Sequence, residues 1–138
     1  MRHLGRTSLI AGLLVAGILA AEMSAAGVGV ALAQSAPATS ADTPKGKALV
    51  NGDGMTLYTF DNDSKGKSNC NGPCATLWLP LIATVDAGAS GDFSLITRSD
   101  GRKQWAYKNK PLYSWSKDTK PGDTSGDGVN SVWHIATP

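Results

Sequence analysis

Glutamate is almost missing from this chain. Glu22 is the only one among 11 acidic residues, and every acidic position after it is aspartate. Histidine is nearly as scarce, with His3 at the start and His134 near the end. Cysteine occurs only at Cys70 and Cys74. These gaps exclude several chemistries. One histidine beyond the first residues cannot build a blue-copper site, which needs two histidines and a cysteine. No Gly-x-Ser-x-Gly elbow is present to raise a nucleophilic serine. Gly122 to Gly128 contains glycines, but no Lys-Ser or Lys-Thr follows to cradle phosphate as in a P-loop. Two aspartates could meet for glycoside hydrolysis, yet nothing in their spacing favours it and a general-acid glutamate is lacking.

An excess of one charge is lacking too. Lys and Arg number 13 against 11 acidic residues, a net charge of +2. Setting aside Arg2, Arg6 and Glu22 leaves 11 basic and 10 acidic residues. So balanced a chain argues against a nucleic-acid partner, which would want a basic face.

What is present begins with a leader. Arg2, His3 and Arg6 precede an apolar run from Leu9 to Ala21, and a small-residue stretch ends in Ala31-Leu32-Ala33. That is the charged start, apolar middle and Ala-x-Ala end of a secretory signal peptide, residues 1–33. An uncleaved anchor over Leu9 to Ala33 is the alternative, and Glu22 inside it speaks against it. Beyond residue 33 no apolar run is long enough to cross a bilayer. The expected product is periplasmic or secreted, and soluble after cleavage. Residues 34–44 are mainly Ala, Ser, Thr and Pro without periodicity, which predicts a flexible tether. The domain is then residues 45–138.

That domain contains one pattern twice. Leu57-Tyr58-Thr59-Phe60-Asp61-Asn62-Asp63 is echoed by Leu112-Tyr113-Ser114-Trp115-Ser116-Lys117-Asp118. Trp78 follows Asp63 at the same interval as Trp133 follows Asp118. The duplication predicts two copies of one unit, at about residues 45–85 and 100–138. Alternation places Tyr58 and Phe60 on one side of a strand and Leu57 and Thr59 on the other. Phe93 to Thr97, Trp105 to Tyr107 and Val132 to Ala136 are further strand candidates. Cys74 to Leu79 could form one helical turn before Pro80. Hairpins are expected through Asn51-Gly52-Asp53-Gly54 and through Lys108-Asn109-Lys110-Pro111. The expected fold is mainly β: a small single domain of two pseudo-symmetric hairpin-based repeats that bury their aromatic faces on each other. The four Trp and three Tyr read as that core rather than as an exposed sugar-binding platform.

Five of the ten aspartates adjoin glycine, and most read as turn residues. Asp61-x-Asp63-x-Lys65-Gly66 begins like an EF-hand loop. Lys65 at the fifth position and Gly72 at the twelfth spoil the oxygen set. A calcium or transition-metal site drawing on Asp61, Asp63, Asp118, Asp123, Asp127 or His134 is a minor alternative to no cofactor. Cys70-Asn-Gly-Pro-Cys74 suits a disulfide closed by a reverse turn, as an exported even pair should. A thioredoxin-like pair would have two intervening residues, and haem attachment would need His where Ala75 stands. A zinc site would need two more ligands. The second repeat carries Ser125 and Val129 at the matching positions, so the unit does not require the bridge.

The motif residues Tyr58, Phe60, Asp63, Tyr113, Trp115 and Asp118, with Trp78 and Trp133, carry a family likeness. They resemble the bacterial secreted repeats named for Tyr-x-(Phe/Trp/Tyr)-x-x-Asp, often labelled predicted lipoproteins. Cys70-x-x-x-Cys74-x-x-x-Trp78-x-Pro80, Gln104-Trp105-x-Tyr107 and Lys110-Pro111-Leu112-Tyr113 extend the likeness. It implies an exported envelope domain of repeats, in a family without a characterised function. The chain departs from a lipoprotein in having Gln34 after the Ala-x-Ala end, with no cysteine before Cys70 to carry lipid. The expected function is a non-enzymatic binding or structural module for an envelope partner or small ligand. A metal- or redox-linked accessory protein is the alternative.

Overall fold

Tyr58 and Tyr113, the same residue of the two copies, face each other across the centre of a sheet. The computed structural model describes residues 36–138 and Gly12, so the signal-peptide reading lies outside the described residues. In chain order the elements are β1 (Thr39–Thr43), β2 (Gly46–Val50), β3 (Leu57–Phe60), α1 (Pro73–Leu77) and β4 (Trp78–Pro80). They continue with β5 (Phe93–Thr97), β6 (Lys103–Tyr107), β7 (Lys110–Pro111), β8 (Tyr113–Trp115) and β9 (Trp133–Ile135). The central sheet has the order β4-β8-β3-β9; a β1-β2 pair precedes it in sequence, and a β5-β6-β7 sheet is inserted between β4 and β8.

The central sheet is an exchange between repeats. β4 of the first copy pairs with β8 of the second, Trp78 opposite Trp115. β9 of the second pairs with β3 of the first, Trp133 opposite Phe60. The hydrogen bonds beyond the strands obey the same twofold. Leu81 N–H donates to Leu112 O at 2.9 Å as Ala136 N–H donates to Leu57 O at 2.8 Å. Neither repeat can complete its sheet alone, which fits the marginal stability of a lone hairpin.

Strand alternation then separates two cores. Tyr58, Trp78, Tyr113, Trp115, Trp133 and Cys70 form one cluster, with Phe60 against it. Leu57, Leu112, Leu49, Ala38 and Ala136 form the other. The aromatic rings stack in the order Phe60, Trp133, Trp78, Trp115, with centroid distances of 4.2, 3.8 and 3.9 Å. The order is palindromic: Phe60 corresponds to Trp115 and Trp133 to Trp78. Tyr58 and Tyr113 close the stack edge-on against Trp78 and Trp133, at 5.4 and 5.2 Å. These six aromatics are core, and the repeats bury them on each other, whereas Trp105 is half-buried and belongs to neither cluster.

Two expectations need correction. Residues 39–43, read as part of the tether at 34–44, form β1 and pair with β2 along its whole length, Thr39 with Val50 through Thr43 with Gly46. Their composition has no periodicity of its own. Order comes from the partner strand, whose Ala48, Leu49 and Val50 are buried, and from Ala38 entering the core. The hairpins also differ. Lys108 and Asn109 take positive φ, 47° and 66°, in a two-residue turn that sets Lys110 opposite Tyr107. The strand then leaves this sheet after Pro111 and enters the central one as β8. In the first repeat the pairing of β2 with β3 shrinks to one bridge, Val50 with Thr56.

Candidate functional site

The two motifs are joined by their polar ends. Tyr58 hydroxyl donates to Asp118 Oδ2 at 2.6 Å, and Tyr113 hydroxyl donates to Asp63 Oδ2 at 2.7 Å. Each tyrosine therefore binds the aspartate of the other copy. Each aspartate uses its second oxygen to hold its own loop. Asp63 Oδ1 accepts Asn69 N–H at 2.6 Å, and Asp118 Oδ1 accepts Ser125 N–H at 3.0 Å and Ser125 Oγ–H at 2.6 Å. Burial and the adjacent carboxylates push both tyrosine hydroxyls far above the ordinary 10.0, so they stay protonated donors. Asp63 lies above its ordinary 3.8 because burial outweighs the bonds from Asn69 and Tyr113 and the charge of Arg98.

Beyond the motif the copies diverge. In the first loop Cys70 and Cys74 are disulfide-bonded, with Cα atoms 5.2 Å apart. The helical turn begins one residue ahead of the expected Cys74, as α1 from Pro73, since proline is pre-shaped for the first position of a helix. Arg98, only 4% exposed, reaches this loop from the end of β5. Its guanidinium donates to Ser68 Oγ at 3.0 Å, Gln104 Oε1 at 2.7 Å and Cys70 O at 2.8 Å. Ser68 and Tyr113 hydroxyls lie 2.7 Å apart, so a chain of bonds runs from Arg98 through Ser68 and Tyr113 to Asp63. Sequence reasoning missed Arg98, Ser68 and Gln104. Arg98 sits beside an ordinary Ser-Asp-Gly turn, and nothing local marks it as buried.

The second loop has no bridge. Gly126 takes the place against the rings: a Cβ there would come within 2.9 Å of both Trp78 and Tyr58. Asp123 Oδ2 accepts Thr119 N–H at 2.9 Å and Lys120 N–H at 3.1 Å, and these bonds, led by Thr119, hold its carboxyl below the ordinary range. Asp127 accepts Ile135 N–H at 3.1 Å and pairs with Lys45 at 3.4 Å.

The suggested metal ligands are thus dispersed. Asp61, just after β3, and His134 of β9 meet at the protein surface, Oδ2 to Nε2 at 2.7 Å. Asp63, Asp118, Asp123 and Asp127 each serve a separate turn or loop. Among the described residues no group of three or more potential ligands could hold a metal ion.

One cleft lies beside the motif, with a volume of about 530 Å³. Phe60, Asp63 and Lys65 line one side, and Lys108, Lys110 and Pro111 the other. Gly66 N–H donates to Asn109 O at 3.1 Å and fixes the two sides together. A smaller hollow continues from Lys108 and Lys110 towards Tyr107 and Pro138.

With the doubled unit in view, comparison with known families is decisive. A family model described as a secreted repeat of unknown function matches twice, at residues 39–82 and 94–137. The chain belongs to this secreted-repeat family. Both matches begin with the opening strand of a unit, so each repeat starts ahead of the residues 45 and 100 read from the motif. No curated protein and no solved structure is significantly similar to the chain. Among the described residues no helix is long and apolar enough to cross a membrane.

Proposed function

We propose that this secreted repeat is a non-enzymatic binding module of the bacterial envelope, with its ligand site in the cleft between the first loop and the Lys108-Asn109 turn. The observation that carries the reading is a division of labour. Both motif tyrosines, both motif aspartates and the stacked rings are engaged in joining the repeats. That leaves the cleft, built on rigid strand ends, as the place where exposed polar side chains converge. A redox-linked role has less support, because Cys70 is wholly buried in the aromatic cluster and its carbonyl is held by Arg98.

The reading is tested on the protein purified after export, by amide NMR with panels of neutral sugars, short peptides and small anions. Amides of Thr59 to Lys65 and Lys108 to Leu112 should shift together with at least one panel. Ser64→Trp, which places a large side chain in the cleft, should abolish the shifts and leave the tryptophan-stack circular dichroism intact. Shifts confined to other surfaces, or no shifts with any panel, would overturn the assignment.

A further inference from the structure

The twofold of the repeats supplies an internal control for the cleft. At the twofold-related place Pro121 of the second repeat packs onto Gly54 of the first, so close that a Cβ on Gly54 would lie 3.2 Å from Pro121 Cβ. At the cleft those two positions are Gly66 of the first repeat and Asn109 of the second, and the space stays open. Charge differs in the same direction. Lys120, the counterpart of Lys65, pairs with Asp123 at 3.6 Å. Ser68 stands where that aspartate would be, so Lys65 has no such partner. Lys108 and Lys110 of the second repeat stand where the first has Asp53 and Met55. Lys65, Lys108 and Lys110 are all exposed, and among the described residues none has a carboxylate within ion-pair distance. Lys108 makes one cation–π contact, 5.1 Å from the Tyr107 ring.

The carboxylates of the cleft are already engaged. Asp61 binds His134, and Asp63 binds Tyr113 and Asn69. The lining holds three lysines and two aspartates around a common space, an excess of one positive charge. It includes no arginine, whose planar fork would favour a single carboxylate. Separate ammonium point charges suit a compact, multiply charged oxyanion, as lysine does at phosphate sites. The volume falls within the roughly 300–1,000 Å³ typical of small-molecule sites.

We infer that the cleft bounded by Lys65, Lys108 and Lys110 binds phosphate-type oxyanions carrying more than one negative charge. This rests on the binding-module reading and names its ligand chemistry. Lys108 lies in the tight turn and Lys110 directly after it, and Lys65 is held opposite by the Gly66–Asn109 bond. Ordering three lysine side chains around an anion costs less where their backbone positions are already fixed.

The test titrates the exported protein with inorganic phosphate, pyrophosphate, acetate and a neutral disaccharide, read by amide NMR and calorimetry. Pyrophosphate should saturate the cleft amides, bind more tightly than phosphate and weaken as ionic strength rises. Lys108→Ala with Lys110→Ala should weaken pyrophosphate binding by about tenfold or more. Lys65→Ala should weaken it less, and the Lys→Arg versions should retain most of it. Lys117→Ala, outside the cleft, should change nothing. Sedimentation with phosphatidylglycerol vesicles identifies the source of the phosphate group: vesicle binding without pyrophosphate binding would overturn the small-ligand site. If the neutral disaccharide shifts the cleft and pyrophosphate does not, the anion inference fails and the binding module stands. If none of these probes shifts the cleft, the anion inference fails, and if the short peptides leave it unmoved too, both fail.

Discussion

Between Asp63 and Trp78 the chain is held by a disulfide and by a buried guanidinium, whereas between Asp118 and Trp133 it is held by a close-packed glycine and by aspartate-capped turns. Both routes end in the same place. Trp78 and Trp133 stack on each other at 3.8 Å with planes only 3° apart. The fold asks two things of each loop. It must give N–H groups to the motif aspartate, and it must cover one side of the ring stack. The loops meet these demands with unrelated chemistry, so their sequences are free to differ while the strands are not. Surface specialisation then follows the loops, and the cleft lies beside the first of them.

If the stack is shared equally, its two central rings should be equivalent. Trp78→Ala and Trp133→Ala should each cost about 3–5 kcal/mol, the usual loss for a buried aromatic. Chemical denaturation with fluorescence or circular dichroism measures both. Two costs differing by more than about 2 kcal/mol would mean that the loops, and not the stack, determine stability.

Closer to the loops, the copies should respond to different insults. Cys70→Ala with Cys74→Ala should lower stability by about 2 kcal/mol, the chain-entropy value for so small a loop. Reduction by thiol should reproduce the effect and spare the second loop's amides in hydrogen exchange. Gly126→Ala should cost about 1–3 kcal/mol by forcing a methyl group against Trp78 and Tyr58. An unchanged midpoint for Gly126→Ala would show that the second loop yields freely, and would remove the proposed equivalence of glycine and disulfide.

These contrasts explain which parts were legible beforehand. The duplication was plain because Leu, Tyr, aromatic, Asp and Trp recur in one register. Alternation assigned Tyr58 and Phe60 to one face and Leu57 to the other, as the two cores confirm. The cysteine pair was legible from its short spacing and its company. Long-range choices were not. β1 owes its order to β2, and no property of Thr39–Thr43 alone announces a strand. The exchange of β4 and β9 between repeats depends on pairing geometry that a one-residue slip would change. The tyrosine–aspartate bonds across the twofold were hidden for the same reason: within one copy, Tyr58 and Asp63 look like partners, yet Tyr58 binds Asp118. Arg98 was invisible because all its partners but Gln104 lie in the loop from Ser68 to Asn71, far from it in sequence.

The smallest expected effect separates the loops by their carboxylates. Asp63 has its folded value above 3.8, chiefly through burial, so the fold favours its protonated form. Its contribution to stability is present in acid and is lost as pH rises from 3.8 through the folded value. Asp123 has its folded value below 3.8, chiefly through the Thr119 N–H bond. Its contribution is present above 3.8 and is lost as pH falls through the folded value. An NMR titration in acid can follow both, through the amides that each carboxylate holds. The Asn69 amide should move with a midpoint above 3.8, and the Thr119 amide with a midpoint below it. The first loop should therefore respond while the second still keeps its cap. Coincident midpoints would mean that Asp63 is no more buried than Asp123. They would also imply that the Arg98–Ser68–Tyr113 chain leaves Asp63 as open to water as an ordinary surface turn.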